Sequence, residues 1–415
     1  MNRAGLLRHP DFRLLWLGQG VSDLGTAVTV VVLPLVAVIY LHSSAFEVGL
    51  LSALEWLPWL LIGLPAGVWV DRVRARPLLI WADVVRLAAI GSVPLAAAFD
   101  ALTIGQLLVA GFVTGLATVV FQVAYQSYLP RLVEKADLVE GNAKLQGTQA
   151  VAGVVGPGLG GLLVHLVRAP FALLVDAASY LVSVVALLAI RSREPEPVPA
   201  QERNLRKEIG EGARYVVADP LLRVLTISPA IGNFFYIGFQ AIVVLFLVRS
   251  VHAESGTVGV LLALVGLGAV AGAAVARPLG RRFGTSRTLW LSIAATAPFA
   301  LLIPLTTTGA GLAFFVVGNV IVLAGILVYN VTISAFRQAY CPPSLLGRVV
   351  ASMRFVLFGT MPLGALLGGT LASLAGVRPA VWILLAGSVL PAFVLTFSPL
   401  RGLRDLPTSP AVTQG

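Results

Sequence analysis

Charged residues are scarce in this sequence. Only 12% of its 415 residues are charged, whereas soluble domains carry about 25%. Together with 58% hydrophobic residues and a mean hydropathy of +0.91, this scarcity excludes an ordinary soluble protein. The composition indicates a membrane protein with several spans.

Disulfides, histidine clusters and catalytic motifs are also lacking. The single cysteine, Cys341, excludes an internal disulfide and any Cys-x-x-Cys metal or redox motif. All four histidines fall near the ends of apolar runs, which leaves no deep histidine relay. His-Glu-x-x-His, Walker A and Gly-x-Ser-x-Gly motifs are absent. We therefore expect no enzyme, no cofactor and no metal, and an ion gradient rather than ATP as the energy source.

Long apolar runs dominate what is present. Twelve of them reach the roughly 20 residues that a helix needs to cross a bilayer. They predict an all-α membrane protein with twelve transmembrane helices and both termini on one side. The runs lie near 15–40, 47–70, 77–98, 103–126, 145–167, 169–190, 224–248, 256–276, 287–307, 309–334, 349–374 and 379–398.

The basic residues predict the orientation of these helices. Of 29 Lys and Arg, 25 fall on the side of the termini, Arg86 lies within the third run, and only Arg168, Arg249 and Arg378 fall opposite. Positive loops stay in the cytoplasm, so we expect an inner (cytoplasmic) membrane protein with cytoplasmic termini. The net charge of +10 thus belongs to loops and does not indicate a nucleic acid partner.

The longest polar stretch, 191–223, divides the chain between the sixth and seventh runs. It begins with a proline-rich piece that cannot be helical throughout, and 203–217 fits a short helix on the membrane surface. We predict an N-terminal half (1–195), a linker (196–219), a C-terminal half (220–405) and a disordered tail (406–415).

The two halves repeat each other. Three motifs recur in the same order at offsets of 210, 212 and 208 residues. Parallel repeats of six helices are one way in which transporters are built, with the substrate site between the repeats. The pairs are Pro10-x-x-Arg13-x-Leu15 with Pro220-x-x-Arg223-x-Leu225, Gln126-x-Tyr128-x-Pro130 with Gln338-x-Tyr340-x-Pro342, and Gly156-x-x-x-Gly160-Gly161 with Gly364-x-x-x-Gly368-Gly369.

A charged loop joins the second and third runs. It reads Gly67-x-x-x-Asp71-Arg72, followed by Arg74 and Arg76, and resembles the corresponding loop of major facilitator superfamily transporters. The resemblance implies the major facilitator fold, with Gly67, Asp71, Arg72 and Arg76 at a cytoplasmic gate. The second half has no acid at the position 210 residues after Asp71, so only the first half carries an acid in this loop.

Asp83 and Arg86 follow this loop on the third run. They are three residues apart and can neutralise each other on one helix. We expect them to join Asp71 and Arg72 in a structural or gating network.

Gly156-Pro157-Gly158-Leu159-Gly160-Gly161 lies within the fifth run. Glycines at this spacing let helices approach closely, and the proline bends the helix, so packing is the simplest interpretation. The motif also resembles the Gly-Pro-x-x-Gly-Gly signature of the superfamily's drug and metabolite antiporters, which implies export. Segments 12–19, 124–130 and 174–177 resemble the branch that holds the enterobactin exporter and macrolide efflux pumps.

Few acids lie inside the apolar runs, and each is costly there, at least ~2.5 kcal/mol at a helix centre. Asp23 lies near the midplane on one face with Gln19 and Thr26, and Glu55 lies in the second run. Both are candidates for proton coupling, with a buried structural carboxylate as the alternative. Asp176 in the sixth run shares a face with Tyr180 and Ser183, and both a structural role and a transport role stay open for it.

Neutral polar residues form stripes on three further runs. The resemblance makes the first, fourth, seventh and tenth helices the lining of the substrate cavity, where these stripes fall; polar contacts between helices are the alternative. The stripes are Thr114, Thr118, Gln122 and Tyr125; Asn233, Tyr236 and Gln240; and Asn319 with Asn330.

The sequence thus predicts a secondary transporter that exports a small amphipathic molecule by proton antiport. Its partners would be this molecule, protons and the lipid bilayer, and we expect a monomer. An uptake symporter of the same fold and a non-transporting membrane receptor are the alternatives.

Cysteine labelling tests the orientation. A cysteine placed in 191–223 should be protected from an impermeant thiol reagent in intact cells, whereas His252→Cys should react. Labelling of the linker from outside would contradict the arginine-based orientation.

Overall fold

A computed structural model describes residues 5–192, 194 and 205–407 of the chain. In this part of the chain the structure is entirely helical. Twelve helices are long and apolar enough to cross a membrane. The prediction of an all-α protein with twelve spans is therefore confirmed.

We number the twelve spans α1–α12 and call the helix Leu205–Ala218 the linker helix. Two spans, α1 and α7, end in a π-helical turn, and α9 continues as a 3₁₀-helix from Ala297. The spans are α1 Pro10–Tyr40, α2 Ala45–Asp71, α3 Ala75–Ala98, α4 Ile104–Leu132, α5 Leu138–Leu166, α6 Ala169–Ala189, α7 Pro220–Ser250, α8 Ser255–Phe283, α9 Thr285–Leu305, α10 Gly309–Tyr340, α11 Pro343–Ala375 and α12 Val377–Thr396.

Local sequence explains where several spans begin. α2 starts with a capping box, in which Ser44 Oγ accepts from the Glu47 amide and the Glu47 carboxylate accepts from the Ser44 amide at 2.7 Å. α7 starts at Pro220, and the Asp219 carboxylate caps it by accepting from two backbone amides. Such caps satisfy the amides that the first helical turn leaves unpaired.

The chain forms two compact units, Met1–Gln201 with Leu247–Ala263, and Glu202–Phe246 with Leu264–Gly415. The linker helix belongs to the second unit, because Val216 is buried in its core and Glu211 pairs with Arg348 at the start of α11. The apolar face that suggested a membrane-surface helix thus packs on protein. Residues 196–204 of the predicted linker and residues 408–415 of the predicted disordered tail lie outside the described residues. Leu406, where that tail was predicted to begin, is buried.

The same close helix contact recurs in both units. Gly156 of α5 lies against Ala27 of α1, and Gly160 lies against the backbone of the same helix. In the second unit Gly364 of α11 lies against the Phe234 carbonyl of α7. The predicted repeat thus corresponds to one packing arrangement built twice, in which glycine allows two backbones to touch.

A second repeated feature follows α1 and α7. After the π-helical turn, His42 and His252 adopt left-handed conformations, with φ of 51° and 57°. In both turns the next amide donates to a carbonyl six residues earlier, at 2.9 Å. The two histidines are 210 residues apart, so the repeat extends into loops whose sequences differ.

The glycine contact can be tested on α5. Gly156→Ala would place a Cβ against Ala27, whereas a Cβ at Gly153 would have nothing within 4 Å. We expect Gly156→Ala to cost about 1–3 kcal/mol of stability, read as a lower thermal unfolding midpoint of the purified protein. Gly153→Ala is the control, and alanine should be neutral or slightly stabilising there. Equal midpoints for the two variants would contradict the close contact.

Candidate functional site

The first unit buries a cluster of three acids and one arginine. Asp83 and Arg86 form an ion pair on α3, with 0% and 4% of their side chains exposed. Asp176 on α6 is fully buried, and Asp23 on α1 is half-buried. Because α6 packs on both α1 and α3, these four residues share one interior.

Arg86 is held by aromatic rings as well as by Asp83. Its guanidinium lies 4.1 Å from the ring centre of Phe121 and 4.7 Å from that of Tyr180. Such cation–π contacts are strongest when water is excluded. Ser183 Oγ donates to Asp83 at 2.6 Å, and Arg86 Nε has no hydrogen-bond partner among the described residues. α3, α4 and α6 thus all contribute to this ion pair.

Asp176 faces α1 rather than lipid. Its carboxyl group accepts from Thr29 Oγ1 at 2.5 Å and from Ser179 Oγ at 3.1 Å. Gly25 makes room for it, since a Cβ there would come within 2.6 Å of Asp176 Oδ1. The sequence placed Asp176, Tyr180 and Ser183 on one helix face, but it did not predict the contacts with Thr29 and Gly25 of α1.

The predicted polar face of α1 joins the same cluster. Gln19 Nε2 donates to Asp23 at 2.7 Å, and the Thr26 and Tyr180 hydroxyls are 3.2 Å apart. Arg86 acts electrostatically on both Asp23 and Asp176. Neither of these two acids forms an ion pair with a described cation. The cluster therefore holds three carboxyl groups and one guanidinium, which pairs with Asp83.

The predicted stripe on α4 only partly faces this interior. The Thr114 and Tyr125 hydroxyls are buried without a hydrogen-bond partner in the described chain, and the Tyr125 ring stacks on Phe121. Thr118 is half-buried and Gln122 is exposed.

Glu55 is apart from the cluster on α2. It is half-buried, and its backbone carbonyl lies 2.9 Å from where Gly115 of α4 would carry a Cβ. No described residue hydrogen-bonds to its carboxylate. The α2–α4 contact at Gly115 positions this acid.

Glu194 organises the charged turn between α2 and α3. Its carboxylate accepts from the Ala75 and Arg76 amides at 2.7 and 3.1 Å and pairs with Arg131 at 2.5 Å. Arg76 in turn donates to the carbonyl oxygens of Leu187 and Leu188 at the end of α6. The turn is thereby fastened to α4 and α6.

The other predicted gate residues are dispersed. A Cβ at Gly67 would have no neighbour within 4 Å, and Arg72 is exposed, while the side chain of Asp71 lies outside the described part. Asp83 and Arg86 lie eight and eleven residues into α3, the latter ~16 Å along the helix. Their described partners are on α4 and α6, so the structure does not bring them to the loop.

The cap provided by Glu194 has a counterpart in the second unit. Asp405 accepts from the Thr285 amide at 2.8 Å at the start of α9, 211 residues after Glu194. Sequence reasoning missed both acids, although a search for acids recurring after the sixth and twelfth runs would have found them.

The second unit contains a cavity of about 300 Å³. Three of the predicted lining residues, Asn233, Tyr236 and Asn330, line it, and none of its described lining residues is charged. The side chains of these three have no hydrogen-bond partner among the described residues. They can therefore bind hydroxyl or carbonyl groups of a ligand.

Two other predicted lining residues lie elsewhere. Asn319 is 1% exposed and donates to the Phe315 carbonyl of its own helix at 2.9 Å, so its amide is used within α10. Gln240 is exposed on α7 and does not line the cavity.

The Gly-Pro motif of α5 has two contact faces. Gly156 and Gly160 face α1, whereas Pro157 and Gly161 face α8, where a Cβ at Gly161 would lie 2.6 Å from Gly259 Cα. α5 stays helical through Pro157. The motif lets α5 contact both neighbours within the first unit.

In the described part of the chain, no group of His, Cys, Asp and Glu could hold a metal ion.

The arrangement matches a known family over nearly its whole length. The profile of transmembrane secretion effectors matches residues 4–412. The chain belongs to this family of the major facilitator superfamily. It is therefore a multi-pass membrane transporter and not an enzyme.

Relatives and solved structures agree with this membership. The multidrug efflux pump Tap of Mycolicibacterium fortuitum is 27% identical over 401 residues, covering 93% of this chain and 95% of that protein. Macrolide efflux protein A of Streptococcus pyogenes is 25% identical over 404 residues, covering 95% and 97%.

Two solved structures share the fold. The nucleoside transporter NupG has a TM-score of 0.77 at 12% identity, covering 93% of this chain and 98% of that one. A bacterial homologue of the iron transporter ferroportin, in an inward-facing state, has a TM-score of 0.76 at 16% identity, covering 94% and 98%.

The role of Glu194 in the turn is testable. Glu194→Gln removes the charge that Arg131 and two amides share, and hydrogen bonds to charged groups contribute about 1.5–3 kcal/mol each. We expect a lower thermal unfolding midpoint and faster tryptic cleavage after Arg74 or Arg76. Glu134→Gln, which removes an exposed acid without a described partner, is the control and should change neither quantity. Unchanged cleavage in Glu194→Gln would show that the turn does not depend on this acid.

Proposed function

We propose that this transporter exports a small amphipathic molecule across the cytoplasmic membrane by proton antiport, with alternating access to a central site. The efflux pumps among its relatives support export, and the arginine bias supports cytoplasmic termini. A monomer suffices for this scheme, because each unit supplies one part of the machinery.

The observation that carries proton coupling is the charge balance of the buried cluster. Arg86 is paired with Asp83, which leaves Asp23 and Asp176 without a cation of their own. An unpaired charge inside a bilayer costs at least ~2.5 kcal/mol at a helix centre. A bound proton removes this cost, so the cluster can hold protons.

Within the cluster, Asp23 is the residue that exchanges its proton. It is half-buried, whereas Asp176 is fully buried. Solvent therefore reaches Asp23 more readily than Asp176. Asp23 would take a proton outside, keep it through the conformational change, and release it inside as cargo binds. One proton moving down 100 mV supplies about 2.3 kcal/mol, enough for roughly fifty-fold accumulation.

The remaining site residues divide between gate and cargo. Asn233, Tyr236 and Asn330 bind cargo in the cavity of the second unit. The turn with Asp71, Arg72 and Arg76, fastened by Glu194, forms the cytoplasmic gate, and the motif of α5 provides a close contact on which helices can slide. Glu55 is the second candidate for coupling.

Asp23→Asn tests this scheme in proteoliposomes. Asparagine mimics the protonated acid, so the variant should bind cargo and exchange it between the two sides. It should lose accumulation driven by a pH gradient. Asp100→Asn is the matched control, since Asp100 is exposed in a left-handed turn that asparagine accepts.

Three outcomes separate the alternatives. Uphill transport by Asp23→Asn would place coupling elsewhere, first at Glu55. Proton movement in the same direction as cargo in wild-type vesicles would indicate an uptake symporter. Ligand binding without any flux would indicate a receptor.

A further inference from the structure

The cavity of the second unit lies within its own helix bundle. Its walls come from α7, α9, α10, α11 and α12, and it includes Gly232, Thr296 and Ser388. Two irregular places in helices border it: α9 changes to a 3₁₀-helix at Ala297, and α12 is interrupted between Gly387 and Leu390. The cavity therefore lies where the backbones of two helices depart from regular α-helix.

The internal repeat explains why this place is open. α3 and α9 begin 210 residues apart, at Ala75 and Thr285. This offset pairs Arg86 with Thr296 and Asp83 with Ile293. In the first unit the long Arg86 side chain fills the interior between Phe121 and Tyr180. In the second unit a short threonine stands there, and both Thr296 and Ile293 border the cavity.

The chemistry of the wall selects against charge. Asn233 replaces the acid found at Asp23, and no described lining residue carries a charge. Bringing an ionised group into such surroundings without a partner is costly. The free amides of Asn233 and Asn330 and the phenol of Tyr236 favour hydroxyl and carbonyl groups instead, between aliphatic side chains.

We propose that this cavity binds an uncharged ring of the cargo that carries hydroxyl or carbonyl groups, while any charged group of the cargo stays outside. About 300 Å³ is at the small end of ligand pockets, so it holds one such ring and not a whole large drug. The identification of the ligand as cargo rests on the proposed export function; the preference for uncharged groups does not.

Thiol labelling tests this preference without knowledge of the cargo. In a full-length Cys341→Ser background, Ser388→Cys places a thiol in the cavity wall. The probes are three methanethiosulfonates of similar size: uncharged 2-hydroxyethyl, cationic 2-(trimethylammonium)ethyl and anionic 2-sulfonatoethyl. Arg401→Cys, at an exposed position, gives the intrinsic reactivity of each probe.

Relative to Arg401→Cys, the cavity thiol should react at least about tenfold faster with the uncharged probe than with either charged probe, a factor worth about 1.4 kcal/mol. Adding Asn233→Asp, which restores the residue type of the first unit, should raise the rate of the cationic probe about tenfold and not that of the anionic one. This gain excludes simple burial as the cause of the preference.

Equal relative rates for the three probes, or no reaction with any of them, would overturn the proposal. A rate for the cationic probe that Asn233→Asp leaves unchanged would do the same. Transport separates the two proposals: wild-type vesicles without export would contradict the proposed function and leave the labelling result intact.

Ala297→Phe, which fills the cavity, should abolish export of a bulky cargo, with exposed Ala295→Phe as its control.

Discussion

The interior of the first unit depends on the contacts of one guanidinium group, that of Arg86. It pairs with Asp83, packs against rings from α4 and α6, and acts electrostatically on acids of α1 and α6. Removing one partner of a buried ion pair typically costs about 3–5 kcal/mol. In our proposal the same residue therefore links the packing of the unit to the protonation of Asp23.

The two units share their helix packing and differ in their chemistry. Glycines let α5 touch α1 and α11 touch α7, and acids at equivalent places cap α3 and α9. Although the two units share this helix packing, the first unit holds buried acids and the second holds an uncharged cavity. In our proposals this difference assigns protons to one unit and the uncharged part of the cargo to the other.

Hydropathy was sufficient to predict the twelve spans, because a bilayer admits few alternatives to apolar helices. Motif offsets were sufficient to predict the repeat. These patterns could not predict which side chains contact each other. Asp176 of α6 packs against Gly25 of α1. Glu194 accepts a hydrogen bond from the Ala75 amide, 119 residues away in sequence. Asn319 was predicted to line the cavity because its spacing placed it on one face with Asn330. Its amide instead donates to a carbonyl oxygen of its own helix.

The uncharged cavity also bears on how such a pump changes its cargo over evolution. Asparagine and aspartate codons differ at one base, so in our proposal a single point mutation at Asn233 or Asn330 gives the cavity a carboxylate that attracts cationic groups. Restoring the ion pair of the first unit is harder, because Ile293 and Thr296 must both change. A single carboxylate in this cavity thus needs one substitution, whereas an ion pair like that of Asp83 and Arg86 needs two.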